Sequence, residues 1–118
     1  VVLTEANGLP REQFFELILG TLFGSRAYQV YSAIIAEGKY QAGFKATLGL
    51  KDLCLASEAA SDVGRALPML GAVHRQMSDT VKSGMGERDW AAMAEYTIGG
   101  SVEPTSPTAA AAPNPRSR

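Results

Sequence analysis

GFKATLGLKDLCLASEAA, residues 43–60, is the stretch that decides the fold. It holds no proline, and its apolar residues recur at helical spacing. Set on a wheel of about 100° per residue, Ala46, Leu50, Leu53, Cys54, Ala56 and Ala60 form one broad apolar face. The other side mixes Phe44, Leu48, Leu55 and Ala59 with Lys45, Lys51, Asp52, Glu58 and Asp62. The spacing predicts a central helix over about residues 44–63, stopped by Gly64.

The adjacent Lys51–Asp52 pair carries the functional question. Neighbouring residues on a helix point away from each other, so these two charges do not serve one another. Each needs water, a ligand or another part of the protein. Two readings stay open on spacing alone: a solvated face with incidental leucines, or a cleft wall in which Phe44, Leu48 and Leu55 surround fixed charges.

Outward from this helix the chain reads as five or six helices and almost no strand. VVLTEAN resembles the last turns of a helix, with Gly8 as its stop, and Pro10 suits the first turn of the next. That second helix carries Phe14, Phe15, Leu17, Ile18, Leu19 and Leu22 and is expected to end at Gly24. Ser25 is placed to cap a third helix that runs to Gly38. Pro68 opens a helix with Leu70, Val73, His74, Met77 and Val81 on one face, followed by Gly84. A last helix is expected from about Glu87 to Ile98, with Trp90 and Met93 in its apolar stripe.

Residues 1–98 therefore read as one all-α domain, a compact bundle. Residues 99–118 read as a disordered tail, rich in Pro, Ala and Ser, that holds four of the six prolines. The 11 basic and 12 acidic side chains give a net charge of −1 over 118 residues, which argues against nucleic acid and anionic membranes as partners. No apolar run reaches the roughly 20 residues that span a bilayer. One cysteine and one histidine fall short of a structural zinc site, so no metal is expected. Cys54 cannot form an internal disulfide, and a cytoplasmic setting is the expectation. His74 reads as a core or interface residue and Cys54 as a small packing residue.

The run at 43–56 resembles the G-F-x-x-x-L-x-x-K-D-x-x-L-A signature of the β-hydroxyacid dehydrogenases, which include 3-hydroxyisobutyrate dehydrogenase and tartronate semialdehyde reductase. Gly43, Phe44, Leu48, Lys51, Asp52, Leu55 and Ala56 stand where that pattern wants them. TEANGLPREQFFELI, PMLGAVHRQM and GERDWAAMAEYT are similar to its flanking segments. The resemblance covers residues 1 to about 98.

It implies a fold like the C-terminal domain of 6-phosphogluconate dehydrogenase, one half of a two-domain enzyme. The partner half would be an N-terminal Rossmann domain with a G-x-G-x-x-G turn, which this chain lacks. The implied activity is NAD- or NADP-dependent oxidation of a small 3-hydroxy acid, or reduction of its semialdehyde, by a homo-oligomer. The family's acid–base lysine would lie upstream of Val1. Asp52 would then support that lysine, Lys51 would face the cofactor or substrate carboxylate, and Phe44 would close the apolar side of the substrate pocket. The chain alone is expected to be inactive. Alternatives are a non-catalytic helical dimerisation module on the same fold, or a domain of an imine-reductase-like enzyme.

Overall fold

A computed structural model describes residues 1–100. Of the tail expected over 99–118, only Gly99 and Gly100 fall within it; the rest lies outside the described residues. Among the described residues the chain forms six α-helices and no strand. They are α1 (Val2–Ala6), α2 (Arg11–Leu19), α3 (Arg26–Glu37), α4 (Ala46–Asp62), α5 (Pro68–Thr80) and α6 (Ala92–Ile98). A π turn, Val81–Met85, prolongs α5.

Several boundaries follow from local chemistry. Ser25 caps α3, its hydroxyl accepting from the Tyr28 N–H at 3.2 Å. Pro68 occupies the first turn of α5. Helices α3 and α4 run out just before Gly38 and Gly64, as the sequence predicts.

Others differ. Pro10 precedes α2 rather than entering it, with an extended ψ of 148°. Helix α2 ends at Leu19, not Gly24, because the Thr21 hydroxyl donates to the Ile18 carbonyl at 2.6 Å and a turn takes over. On α4, Ala56 is exposed and Gly49 and Ser57 take part in the inward face instead. Ser57 can sit there because its hydroxyl donates to the Leu53 carbonyl at 2.8 Å.

Helices α4 and α5 pack antiparallel. Gly49 faces the tip of Met77, and one turn further along α4 Cys54 meets His74 one turn back along α5. Met77 is the one large apolar side chain that is fully buried among the described residues, and burying it contributes about 2 kcal/mol. Ala46, Tyr40, Thr80 and Ala92 complete a small core.

The largest departure from the sequence reading lies at 87–91, expected as helix and found, with Gly86, as a turn bound to the start of α4. The leading N–H groups of a helix have no partner within it, and Lys45 supplies no side-chain cap. Backbone from 86–91 does the work instead: Ala46 donates to the Arg88 carbonyl at 2.9 Å and Thr47 to the Gly86 carbonyl at 3.0 Å. Gly86 fits closely there: a Cβ would stand 2.9 Å from the Thr47 methyl and force it to shift. Gly84, at φ 94°, turns the chain out of α5 and back toward α4.

Asp89 closes this clasp. It is 3% exposed, and one carboxylate oxygen accepts from Gly43 N–H at 3.0 Å and Phe44 N–H at 3.2 Å. The other accepts from Ala91 N–H at 3.0 Å. Replacing Asp89 with Ala strands three backbone donors and should cost about 2–4 kcal/mol. Thermal unfolding followed by circular dichroism should then show Tm lowered by at least about 10 °C, with Asp89→Asn intermediate.

Candidate functional site

The clasp fixes where Phe44 sits. Its N–H is held by Asp89, and its carbonyl accepts from Trp90 N–H at 2.8 Å. Its ring meets the Trp90 indole edge-on, with centroids 6.2 Å apart and planes at 87°. Trp90 in turn meets Tyr31 of α3 at 5.4 Å and 76°. Trp90 thus lies ahead of α6, not in its apolar stripe, and links α3 to the foot of α4.

Lys51 and Asp52 lie in the first half of α4 and are both exposed. Neither has an ion-pair or hydrogen-bond partner among the described residues, where the paired lysines are Lys39, Lys45 and Lys82. Leu48 and the 52%-exposed Leu55 flank them, with Phe44, 38% exposed, at the foot of the same helix. The stripe is therefore open to whatever covers this face. The hollow described in this domain lies elsewhere, between α2 and α3, and neither Lys51 nor Asp52 lines it.

The other residues weighed from sequence take structural places. His74 Nε2 and Cys54 Sγ stand 3.3 Å apart, both half-buried, at the α4–α5 contact. Among the described residues no group of His, Cys, Asp and Glu could hold a metal ion. Met77 is core, whereas Met69 at the start of α5 is exposed.

Sequence reasoning missed Asp89 and Tyr40. An Asp just ahead of a helix is a readable cap signal, and Asp89 does accept from Ala91 N–H; its grip on residues 43 and 44, far off in sequence, is not readable. Tyr40 is 6% exposed, and its carbonyl accepts from Asp89 N–H at 3.1 Å. The Arg88 guanidinium lies over its ring at 5.1 Å and pairs with Glu95 at 2.8 Å. On the far side Arg11 clamps Glu5 through two hydrogen bonds of 2.6 and 3.1 Å.

Burial, aided by the negative charge of Glu95, pushes the Tyr40 phenol above its ordinary value of 10. A raised folded-state pKa means that this group's stabilisation is complete below pH 10 and is lost as pH rises through the raised value. Urea midpoints measured from pH 8 upward should fall more steeply above pH 10 in the wild type than in Tyr40→Phe.

Comparison with known proteins adds three findings. A family model described as the NAD-binding domain of NADP-dependent 3-hydroxyisobutyrate dehydrogenase matches residues 1–97. An oxidoreductase of Bacillus subtilis (strain 168) called YfjR, described as uncharacterized, is 43% identical over 93 residues, covering 78% of this chain and 32% of that protein. The crystal structure of 3-hydroxyisobutyrate dehydrogenase (ygbJ) from Salmonella typhimurium superposes with a TM-score of 0.74 at 18% identity. That superposition covers 80% of this chain and 33% of the other, and it bears on the fold alone. The chain spans about a third of the length of the relatives it matches.

Proposed function

Because this chain belongs to the family of the NAD-binding domain of NADP-dependent 3-hydroxyisobutyrate dehydrogenase, we propose that it is the helical half of an NAD(P)-dependent oxidoreductase. The substrate we assign is a small 3-hydroxy acid or the matching semialdehyde. The observation that carries the reading is the stripe on α4: two unlike charges, each without a partner among the described residues, set in an apolar surface. Such charges on a rigid helix are arranged to meet groups supplied from outside the domain.

The chain's own donor set suits a peripheral contact to the cofactor rather than its main seat. Among the described residues it offers the unpaired Lys51 ammonium beside apolar surface, and its sequence holds no glycine-rich phosphate turn. The chemistry that a nicotinamide supplies when bound is hydride transfer. In this reading Lys51 offers its positive charge to the substrate carboxylate or to the nicotinamide end of the cofactor. Asp52 holds the acid–base lysine of the preceding domain and supports its charge state. Phe44, with Leu48 and Leu55, walls off water when the two domains close. A Rossmann domain is the partner, the isolated chain is inactive, and the setting is cytoplasmic. Exposed Leu17 of α2 and Leu22 of the turn after it are the surface we assign to contacts within a homo-oligomer.

A second reading, a non-catalytic dimerisation module, is favoured by one observation: the described hollow does not include the charge pair. Lys51→Ala and Asp52→Ala in the enzyme that contains this domain separate the two. The dehydrogenase reading expects kcat/KM to fall by about 10²-fold or more for each. Melting temperature should move little, because exposed substitutions stay within about 0.5 kcal/mol. Unchanged turnover in both variants would leave the charges as surface ornament and hand the case to the module.

A further inference from the structure

The amide side of Phe44 is held by a single side chain. Its N–H and that of Gly43 both donate to one Asp89 carboxylate oxygen, at 3.2 and 3.0 Å, and neither has another acceptor among the described residues. Asp89 is buried, so water competes little for these bonds. Gln41 and Ala42, which lead into the pair, are exposed.

The rest of the foot of α4 is tied by backbone and packing. Lys45 and Asp89 face each other in an isolated antiparallel bridge. Across it Ala46 donates to the Arg88 carbonyl at 2.9 Å and Trp90 to the Phe44 carbonyl at 2.8 Å. Thr47 donates to the Gly86 carbonyl, and Gly49 packs on Met77 one turn further along. None of these contacts uses the Asp89 carboxylate. Its removal therefore frees the amides of Gly43, Phe44 and Ala91, while α4 keeps its anchors and Lys51 and Asp52 keep their places. What the carboxylate adds is the setting of the Phe44 ring, edge-on to Trp90, beside Gly49 and half open to solvent.

We propose that Asp89 is a positioning residue for turnover: its carboxylate sets the Phe44 ring that closes the apolar side of the substrate pocket. The inference rests on the dehydrogenase reading above and deepens it, adding to the same site a residue 45 positions away in sequence. A ring held in place before substrate arrives excludes water at no further cost, whereas a loose ring must be ordered at every turnover.

The test is a double-mutant cycle in the complete enzyme, assayed on small 3-hydroxy acids and their semialdehydes with each of the two nicotinamide cofactors. Kinetics are run well below the Tm of the weakest variant, with circular dichroism as the check on folding. Asp89→Ala should lower kcat/KM by about ten- to a hundredfold, mostly in kcat. Asp89→Asn, which keeps one acceptor oxygen, should lose less. On a Phe44→Ala background the ring is already gone, and either substitution should change kcat/KM by less than about twofold. Tm should behave otherwise, because the amide of residue 44 remains when its side chain is cut back. Asp89→Asn should lower Tm equally in both backgrounds. On Lys51→Ala, whose helix keeps its anchors, the kinetic cost of Asp89→Asn should multiply in full.

An unchanged kcat/KM in the Asp89 variants, with Tm lowered, makes the carboxylate a structural group only and overturns the proposal. An equal kinetic loss with and without the Phe44 ring overturns it too, since Asp89 then acts through something else. So does wild-type kcat/KM in Phe44→Ala. Should Asp89→Ala fail to fold, Asp89→Asn carries the same comparisons. Each of these failures occurs in an active wild type and leaves the dehydrogenase reading standing. Absence of turnover for every acid and semialdehyde with either cofactor removes that reading, and the role of Asp89 in turnover falls with it.

Discussion

The structure depends on a carboxylate that answers for backbone. Asp89 takes three amide donors, two of them more than forty residues away, and so joins the loop before α4 to the turn before α6. Around it the 86–91 backbone satisfies the first amides of α4, which no side chain caps. A domain with so few large buried side chains has little hydrophobic surplus to hold that junction by packing alone. Directional hydrogen bonds in a dry setting fix what the small core leaves loose.

That junction also orders the stripe on α4. Phe44 is gripped through its amide and carbonyl, and α4 then carries Lys51 and Asp52 outward at fixed angles. Neither ion has an ion-pair or hydrogen-bond partner among the described residues, so no such contact of the fold holds them. Family membership names the class of chemistry, and the stripe on α4 is a side of the bundle left open.

What was legible in the sequence was local. Ser25, Pro68, Gly38 and Gly64 announce helix ends because their effects reach only a few residues. The periodicity of residues 43–60 placed α4 to within about two residues at each end. Its inward face was misread at Ala56, which is exposed, while Ser57 turns inward and hides its polarity by bonding to Leu53. Residues 87–91 were taken for helix because GERDWAAMAEYT has helical composition; tertiary hydrogen bonds to Ala46, Gly43 and Phe44 overrode it. The charge pair was visible as a pattern, and both members stand exposed and without a partner among the described residues.

Trp90 is the sole indole in the 118 residues, wedged between two other rings and partly open to water. Ultraviolet emission from this polypeptide therefore originates at the very seam where α3, α4 and the pre-α6 turn converge. Loosening of that seam exposes the ring further and shifts its emission to the red. Nature has left a single lamp in the domain, and it hangs over the hinge of the whole arrangement.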